Sequence, residues 1–180
     1  SQGVSREPGA ARRDLRQERI FTIDGPDAKD FDDAVSLKFL NHGRAQLGVH
    51  IADVSSYVKE GTALDKEAFA RGTSVYLPGL VIPMLPPALS DDACSLVPGQ
   101  DRLTLTCEMD LDRAGNVHKI NVFPSVIRSV QRGVYEEVQE VLDGKDVPGY
   151  GPIKRDIQEM ASLARALEKL EASSKRLPLA

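Results

Sequence analysis

Ile20-Phe-Thr-Ile-Asp-Gly-Pro-Asp-Ala-Lys-Asp-Phe-Asp-Asp-Ala-Val35 is the stretch around which the rest of the chain is arranged. An apolar run at 20–23 leads into it, and an alternating run, Val35, Leu37 and Phe39, leads out. These patterns predict two strands with a loop between them. The loop holds Asp24, Asp27, Asp30, Asp32 and Asp33, five carboxylates within ten residues, with only Lys29 to offset them. Two unit charges about 4 Å apart interact by roughly 4 kcal/mol at an effective dielectric near 20. Such a cluster either stays spread and solvated or gathers around a cation. Hard divalent cations take carboxylate oxygens, and magnesium keeps several waters and adds substrate phosphates to its shell. In an extended segment Asp30 and Asp32 share a face and Asp33 points the other way. A regular strand therefore cannot aim all of them at one ion, and Gly25 and Pro26 supply the turn chemistry that bends the segment. A calcium loop is disfavoured, because the spacing departs from Asp-x-Asp-x-Asp-Gly and no glutamate stands at the twelfth position. On spacing alone, a solvated acidic loop and a divalent-cation site both stay open.

Outward from the loop, residues 35–39 and 45–53 form a hairpin around the turn Asn41-His-Gly-Arg44. Leu47, Val49 and Ile51 take one face and His50 the other. A lone strand histidine reads as a packed, hydrogen-bonded residue, and Asp53, at the strand's end, is within reach of the acidic loop as a supporting group. Residues 62–72 read as a short helix, with Thr62 as cap, Asp65 three positions on, and Gly72 as its stop. Residues 73–77 are strand-like. The stretch up to Pro98, with Pro78, Pro83, Pro86 and Pro87, predicts a fixed loop with little regular structure. Residues 101–111 alternate, placing Leu103, Leu105, Cys107, Met109 and Leu111 inward and Thr104, Thr106, Glu108 and Asp110 outward. A turn at 112–116 returns the chain through 117–127. Helical spacing marks 133–142 and 152–169. The expected fold is α+β, an antiparallel β-rich core with flanking helices. Residues 1–17 carry Gly3, Pro8, Gly9 and four arginines with little hydrophobicity, which predicts a flexible basic lead-in and leaves 18–180 as the folded portion.

At 180 residues and 41% hydrophobic content the chain suits one domain with a real core. No apolar run approaches the roughly 20 residues of a membrane helix. Cys94 and Cys107 have neither zinc spacing nor a disulfide framework, so both are expected to be reduced, buried residues of a cytoplasmic protein. The net charge of −4 argues against a simple nucleic-acid-coating module, since non-specific binders are usually basic. It does not argue against a metal-dependent nuclease, whose acidic cluster would account for much of that charge.

Thr22-Ile-Asp-Gly-x-Asp-Ala-Lys-Asp-Phe-Asp-Asp-Ala-Val35 resembles the signature of the ribonuclease II/ribonuclease R catalytic domain. Gly48-Val-His-Ile-Ala-Asp-Val54 follows at the family's distance, then Ser74-Val-Tyr-Leu-Pro78 with Ile82-Pro-Met-Leu-Pro86. Cys94-Ser-Leu96 with Asp101-Arg-Leu103, and Pro124-Ser-Val-Ile-Arg-Ser129 before Tyr135, complete the series. The motifs run in family order from about residue 14 to about 142. The resemblance implies a hydrolytic 3′-to-5′ exoribonuclease that degrades single-stranded RNA processively to nucleoside 5′-monophosphates. It implies Asp24, Asp30, Asp32 and Asp33 as the catalytic aspartates holding two Mg2+ ions, with Mn2+ as a substitute, and leaves Asp27 exposed and without a role. Tyr76 matches a tyrosine that orients RNA, and Tyr135 one that stacks on a base at the 3′ end and sets product length. The family's catalytic domain is longer than this chain. The resemblance thus implies partners in a missing C-terminal half and in oligonucleotide-binding domains. The alternative is a non-catalytic RNA-binding or interaction module that keeps the aspartates in an incomplete site.

Overall fold

Apolar alternation on both sides of the acidic loop builds a sheet with the loop at one end. The computed structural model describes residues 12–174. The chain runs through β1 (Arg13–Asp14), β2 (Ile20–Asp24), β3 (Asp33–Phe39), β4 (Ala45–Ala52), α1 (Ala63–Arg71), β5 (Val75–Leu77) and β6 (Leu80–Ile82). It continues through β7 (Asp101–Leu111), β8 (Val117–Arg128), β9 (Gln131–Val134), α2 (Tyr135–Leu142) and α3 (Lys154–Ser174). Seven strands pair in the order β1-β8-β7-β4-β3-β2-β9, while β5 and β6 form a separate hairpin. The α+β expectation holds. The central pairings are antiparallel, but the two outermost are parallel, β1 with β8 and β2 with β9.

Each face of the sheet has its own cover. Phe21, Val141, Tyr150, Ile153 and Ile157 cluster beneath α2 and α3, with Leu37, Leu111 and Leu163 beside them. Alternation along the same strands sends Ile20, Ala34, Ala52 and Ile127 to the opposite face, where they meet Leu15, Phe31, Cys94 and Leu96. Full burial of such a side chain contributes about 1.5–3 kcal/mol. Asp156, at the start of α3, is buried and accepts from Arg19 Nε at 3.0 Å, which ties the helix to the approach to β2.

The facing expected for β7 holds at Leu111, which is buried with Met109 packed beside it, and is corrected toward the start of the strand. Thr104 and Thr106 are fully buried, whereas Leu105 is 47% exposed. The buried face is a chain of polar groups. Ser36 Oγ meets His50 Nε2 at 3.0 Å, and His50 Nδ1 meets Thr106 Oγ1 at 2.8 Å. The hydroxyls of Thr106 and Thr104 both meet Ser125 Oγ at 2.6 Å. Hydrogen bonding makes this burial tolerable. On the other face the helix cover does not span the sheet, and Ile51, Leu105, Val117, Ile120 and Val122 stay exposed.

The flexible lead-in is corrected for residues 12–17. Arg13 and Asp14 pair with Ser125 and Val126, Leu15 is buried, and Arg12 Nη1 donates to the carbonyls of Thr104 and Ser125 at 3.2 Å each. Residues 1–11 lie outside the described residues. The loop expected over 78–98 contains a strand, since Leu80–Ile82 folds back on Val75–Leu77 around Gly79, whose φ of 75° suits glycine. Helix α1 is bounded as expected: the Asp65 N–H donates to Thr62 Oγ1 at 3.2 Å, and Gly72 takes a φ of 74°. Cys94 and Cys107 are both free thiols; Cys94 is buried and Cys107 half-buried. No helix of the described residues is long and apolar enough to cross a membrane.

Candidate functional site

Phe31 sets the geometry of the acidic loop. Its side chain is buried in the core. Its N–H donates to Ser95 Oγ at 3.0 Å, and its carbonyl accepts from the Leu96 N–H at 2.9 Å. Ser95 Oγ in turn donates to the Lys29 carbonyl at 2.7 Å. With Phe31 turned inward, Asp30 and Asp32 on either side turn outward. Both line a cleft of about 330 Å³ shared with Ala52, Ser74, Tyr76 and Met84. The far wall is fixed by Arg102, which is buried and donates from Nε to the Ser95 carbonyl at 2.7 Å and from Nη2 to the Asp92 carbonyl at 3.1 Å.

Asp24 and Asp33 sit at strand ends. Asp24 closes β2 opposite Val134 of β9, and Asp33 opens β3 opposite Ile51 of β4. Between them the chain turns at Gly25 and Pro26, where the Ala28 N–H donates to the Gly25 carbonyl at 3.2 Å. Arg132, on β9, clamps this turn by donating from Nη2 to the carbonyls of Gly25 and Pro26. Asp27 is exposed, as expected.

The electrostatics follow from crowding. Burial pushes the Asp24 carboxyl above the usual range; the nearby Thr22 hydroxyl and the Arg132 charge oppose the rise, and the charges of Asp33 and Asp30 add to it. Partial loss of hydration also raises Asp32, and the charges of Asp30, Asp33 and Asp24 reinforce it. The four aspartates thus feel one another across the loop. Asp24 Oδ2 and the neighbouring Thr22 Oγ1 are both buried, and among the described residues neither meets a partner in good hydrogen-bond geometry. The Cys94 thiol is pushed up to about 11, by burial first and then by the Asp32 charge, so it stands as a protonated wall group.

The donor set suits a hard divalent cation: oxygen ligands only, mutual repulsion that a cation would relieve, and one orphaned buried oxygen. Among the described residues no three histidine, cysteine, aspartate or glutamate groups converge into a ready cation cage. Asp24, Asp30, Asp32 and Asp33 would supply part of a coordination shell, with waters or phosphate oxygens completing it.

Tyr76 touches this loop, and Tyr135 lies next along the chain to a residue paired with its first aspartate. The Tyr76 hydroxyl donates to Asp30 Oδ2 at 3.2 Å. Tyr135 begins α2 immediately after Val134, the partner of Asp24, and is exposed. Asp53 does not reach the loop, which corrects its expected supporting place. It accepts instead from Ser55 Oγ, Arg12 Nη2 and Ser56 Oγ. Burial would raise its pKa, but those hydrogen bonds outweigh it and hold the carboxyl at about 2. His50 belongs to the buried polar chain, as a packed histidine should. Sequence reasoning gave no role to Ser95, Arg102 or Arg132. The first two lie inside the quoted motifs Cys94-Ser-Leu96 and Asp101-Arg-Leu103, and for Ser95 a polar residue between two apolar ones was the available signal.

The sheet carries Asp24 and Asp33 at strand ends, with Asp30 and Asp32 in the loop between them. The RNB domain matches residues 12–180, and the chain belongs to that family. It is 55% identical over 174 residues to ribonuclease R of Thermotoga maritima, covering 96% of this chain and 24% of that protein. The fold matches Mycoplasma genitalium RNase R in complex with ribose-methylated single-stranded RNA, with a TM-score of 0.85 and 33% identity, over 90% of this chain and 25% of that one. It also matches yeast Ssd1, a pseudonuclease, with a TM-score of 0.72 and 25% identity, over 86% of this chain and 19% of that one. The chain spans about a quarter of the length of the ribonuclease R relative from Thermotoga maritima.

Proposed function

We propose that this chain is the metal-binding part of a magnesium-dependent hydrolytic exoribonuclease that shortens single-stranded RNA from its 3′ end, processively, to nucleoside 5′-monophosphates. The observation that carries this reading is the loop itself. Phe31 is anchored inward so that Asp30 and Asp32 face one cleft, while Asp24 offers a buried oxygen that, among the described residues, meets no partner in good hydrogen-bond geometry. Two bound Mg2+ ions, or Mn2+ in their place, would activate a water and stabilise the leaving oxygen of a phosphodiester. The chain's own contribution is positional. Ser95 and Arg102 hold the loop against the core, Arg132 holds its turn, and Asp24, Asp30, Asp32 and Asp33 hold the charge that the ions neutralise. Tyr135, one residue past the strand partner of Asp24, presents an exposed ring on which a terminal base can stack; such stacking is worth ~1–3 kcal/mol. Ribonuclease R relatives at up to 55% identity support the same reading.

A second reading, a non-catalytic RNA-binding module, draws on the likeness to a pseudonuclease and on the open carboxylate arrangement. Decay of a 5′-labelled single-stranded RNA by the purified chain separates the two. With magnesium, the nuclease reading expects a ladder shrinking from the 3′ end, abolished by chelator and by Asp32→Asn, with RNA binding retained in the variant. Binding without decay by the unmodified chain supports the module only where the chain also takes up no Mn2+; RNA binding with Mn2+ uptake supports the metal-binding part of a larger enzyme. Near-normal turnover by Asp32→Asn overturns the aspartate assignment.

A further inference from the structure

We propose that Tyr76 is a positioning residue whose hydroxyl fixes the Asp30 carboxylate for cation binding, a task separate from any contact its ring makes with RNA. The inference rests on the metal-site reading above. Asp30 is held on its backbone side by the anchored Phe31, but backbone anchoring leaves the side-chain torsions free. Among the hydrogen bonds to the Asp30 carboxylate, the Tyr76 hydroxyl supplies one from outside the loop, to Oδ2 at 3.2 Å. A phenolic donor to one oxygen selects a rotamer and leaves the other oxygen for a cation.

Tyr76 is itself set at a defined height. It pairs with Val81 across the β5–β6 hairpin. The base of that hairpin is closed by the Met84 N–H donating to Ser74 Oγ at 2.9 Å and by Arg71 Nη1 donating to the Pro83 carbonyl at 3.2 Å. The hairpin is otherwise thinly held, since all six of its strand residues are exposed. Tyr76 is 65% exposed, so its ring is not there to fill the core. Ring and hydroxyl can therefore be tested apart, since phenylalanine keeps the first and removes the second.

The test is Mn2+ titration of the full chain, read by the loss of free-ion electron paramagnetic resonance signal, for wild type, Tyr76→Phe, Tyr76→Ala and Asp24→Asn. RNA binding in chelator and thermal stability are measured on the same samples. The proposal expects Tyr76→Phe to weaken Mn2+ binding roughly three- to tenfold, in keeping with loss of one hydrogen bond, with Tm unchanged and RNA affinity in chelator reduced less than by Tyr76→Ala. Tyr76→Ala should weaken both ligands. If Asp24→Asn weakens Mn2+ binding and Tyr76→Phe matches wild type, the positioning role is wrong while the metal site stands. If wild type takes up no Mn2+, both fall together.

Discussion

His50 is a histidine that cannot easily carry a charge. Its ring is enclosed between Ser36 and Thr106, and burial, helped by the Lys38 charge, lowers its pKa from 6.5 to about 4. The unfolded chain takes up the proton near pH 6.5, whereas the folded chain resists until about pH 4. The stability tied to neutral His50 is thus complete above pH 6.5 and is lost as pH falls toward 4, by roughly 3 kcal/mol at most. Urea midpoints measured for wild type and His50→Gln between pH 7.5 and 4.5 should converge as the pH drops. Parallel curves would show that the ring is protonated without penalty. Gly48 shows how tightly this region is filled: a Cβ there would lie 2.4 Å from Ser36 Oγ and 2.9 Å from His50 Nε2.

At the scale of elements, the acidic loop is a segment secured by one aromatic anchor. Phe31→Ala removes that anchor, and a buried phenylalanine truncated to alanine costs about 3–5 kcal/mol. The variant should therefore be much less stable by chemical denaturation and should bind Mn2+ more weakly than Phe31→Leu does. Equal stability of the alanine and leucine variants would place the anchoring elsewhere. The loop was legible in the sequence because five carboxylates between two apolar runs have few structural explanations. The β7–β8 hairpin was legible because alternation over eleven residues has one period. Which face of β7 lies inward was legible only at its Met109–Leu111 end. Alternation separates two faces without saying what covers either, and here Thr104, Thr106 and Ser125 satisfy one another while Leu105 faces water. Strands β1 and β9 escaped notice because two and four residues carry no period, and both pair with distant partners. The Tyr76 contact to Asp30 spans 46 residues, and only the folded hairpin brings its two ends together.

At the scale of the molecule, α2 and α3 cover only part of one sheet face. Ile120 and Val122 are 58% and 61% exposed on β8, beside Ile51 and Leu105. Among the described residues, β1 pairs only with Ser125 and Val126 of that strand, so the stretch before them presents an apolar face and an open edge together. Such edges template association. The isolated chain should therefore self-associate in sedimentation velocity as concentration rises, and Ile120→Lys with Val122→Lys should suppress this with little loss of stability. Indistinguishable sedimentation of the two proteins would count against the edge as the cause. The parallel pairing of β2 with β9 governs when the site can exist. Arg132 clamps a turn 107 residues upstream, and Ser95 secures Phe31 from 64 residues away. Closing such long loops is entropically costly and slow. During synthesis the aspartates leave the ribosome well before either clamp has been made. A nascent chain therefore carries its acidic loop unassembled until β9 has emerged.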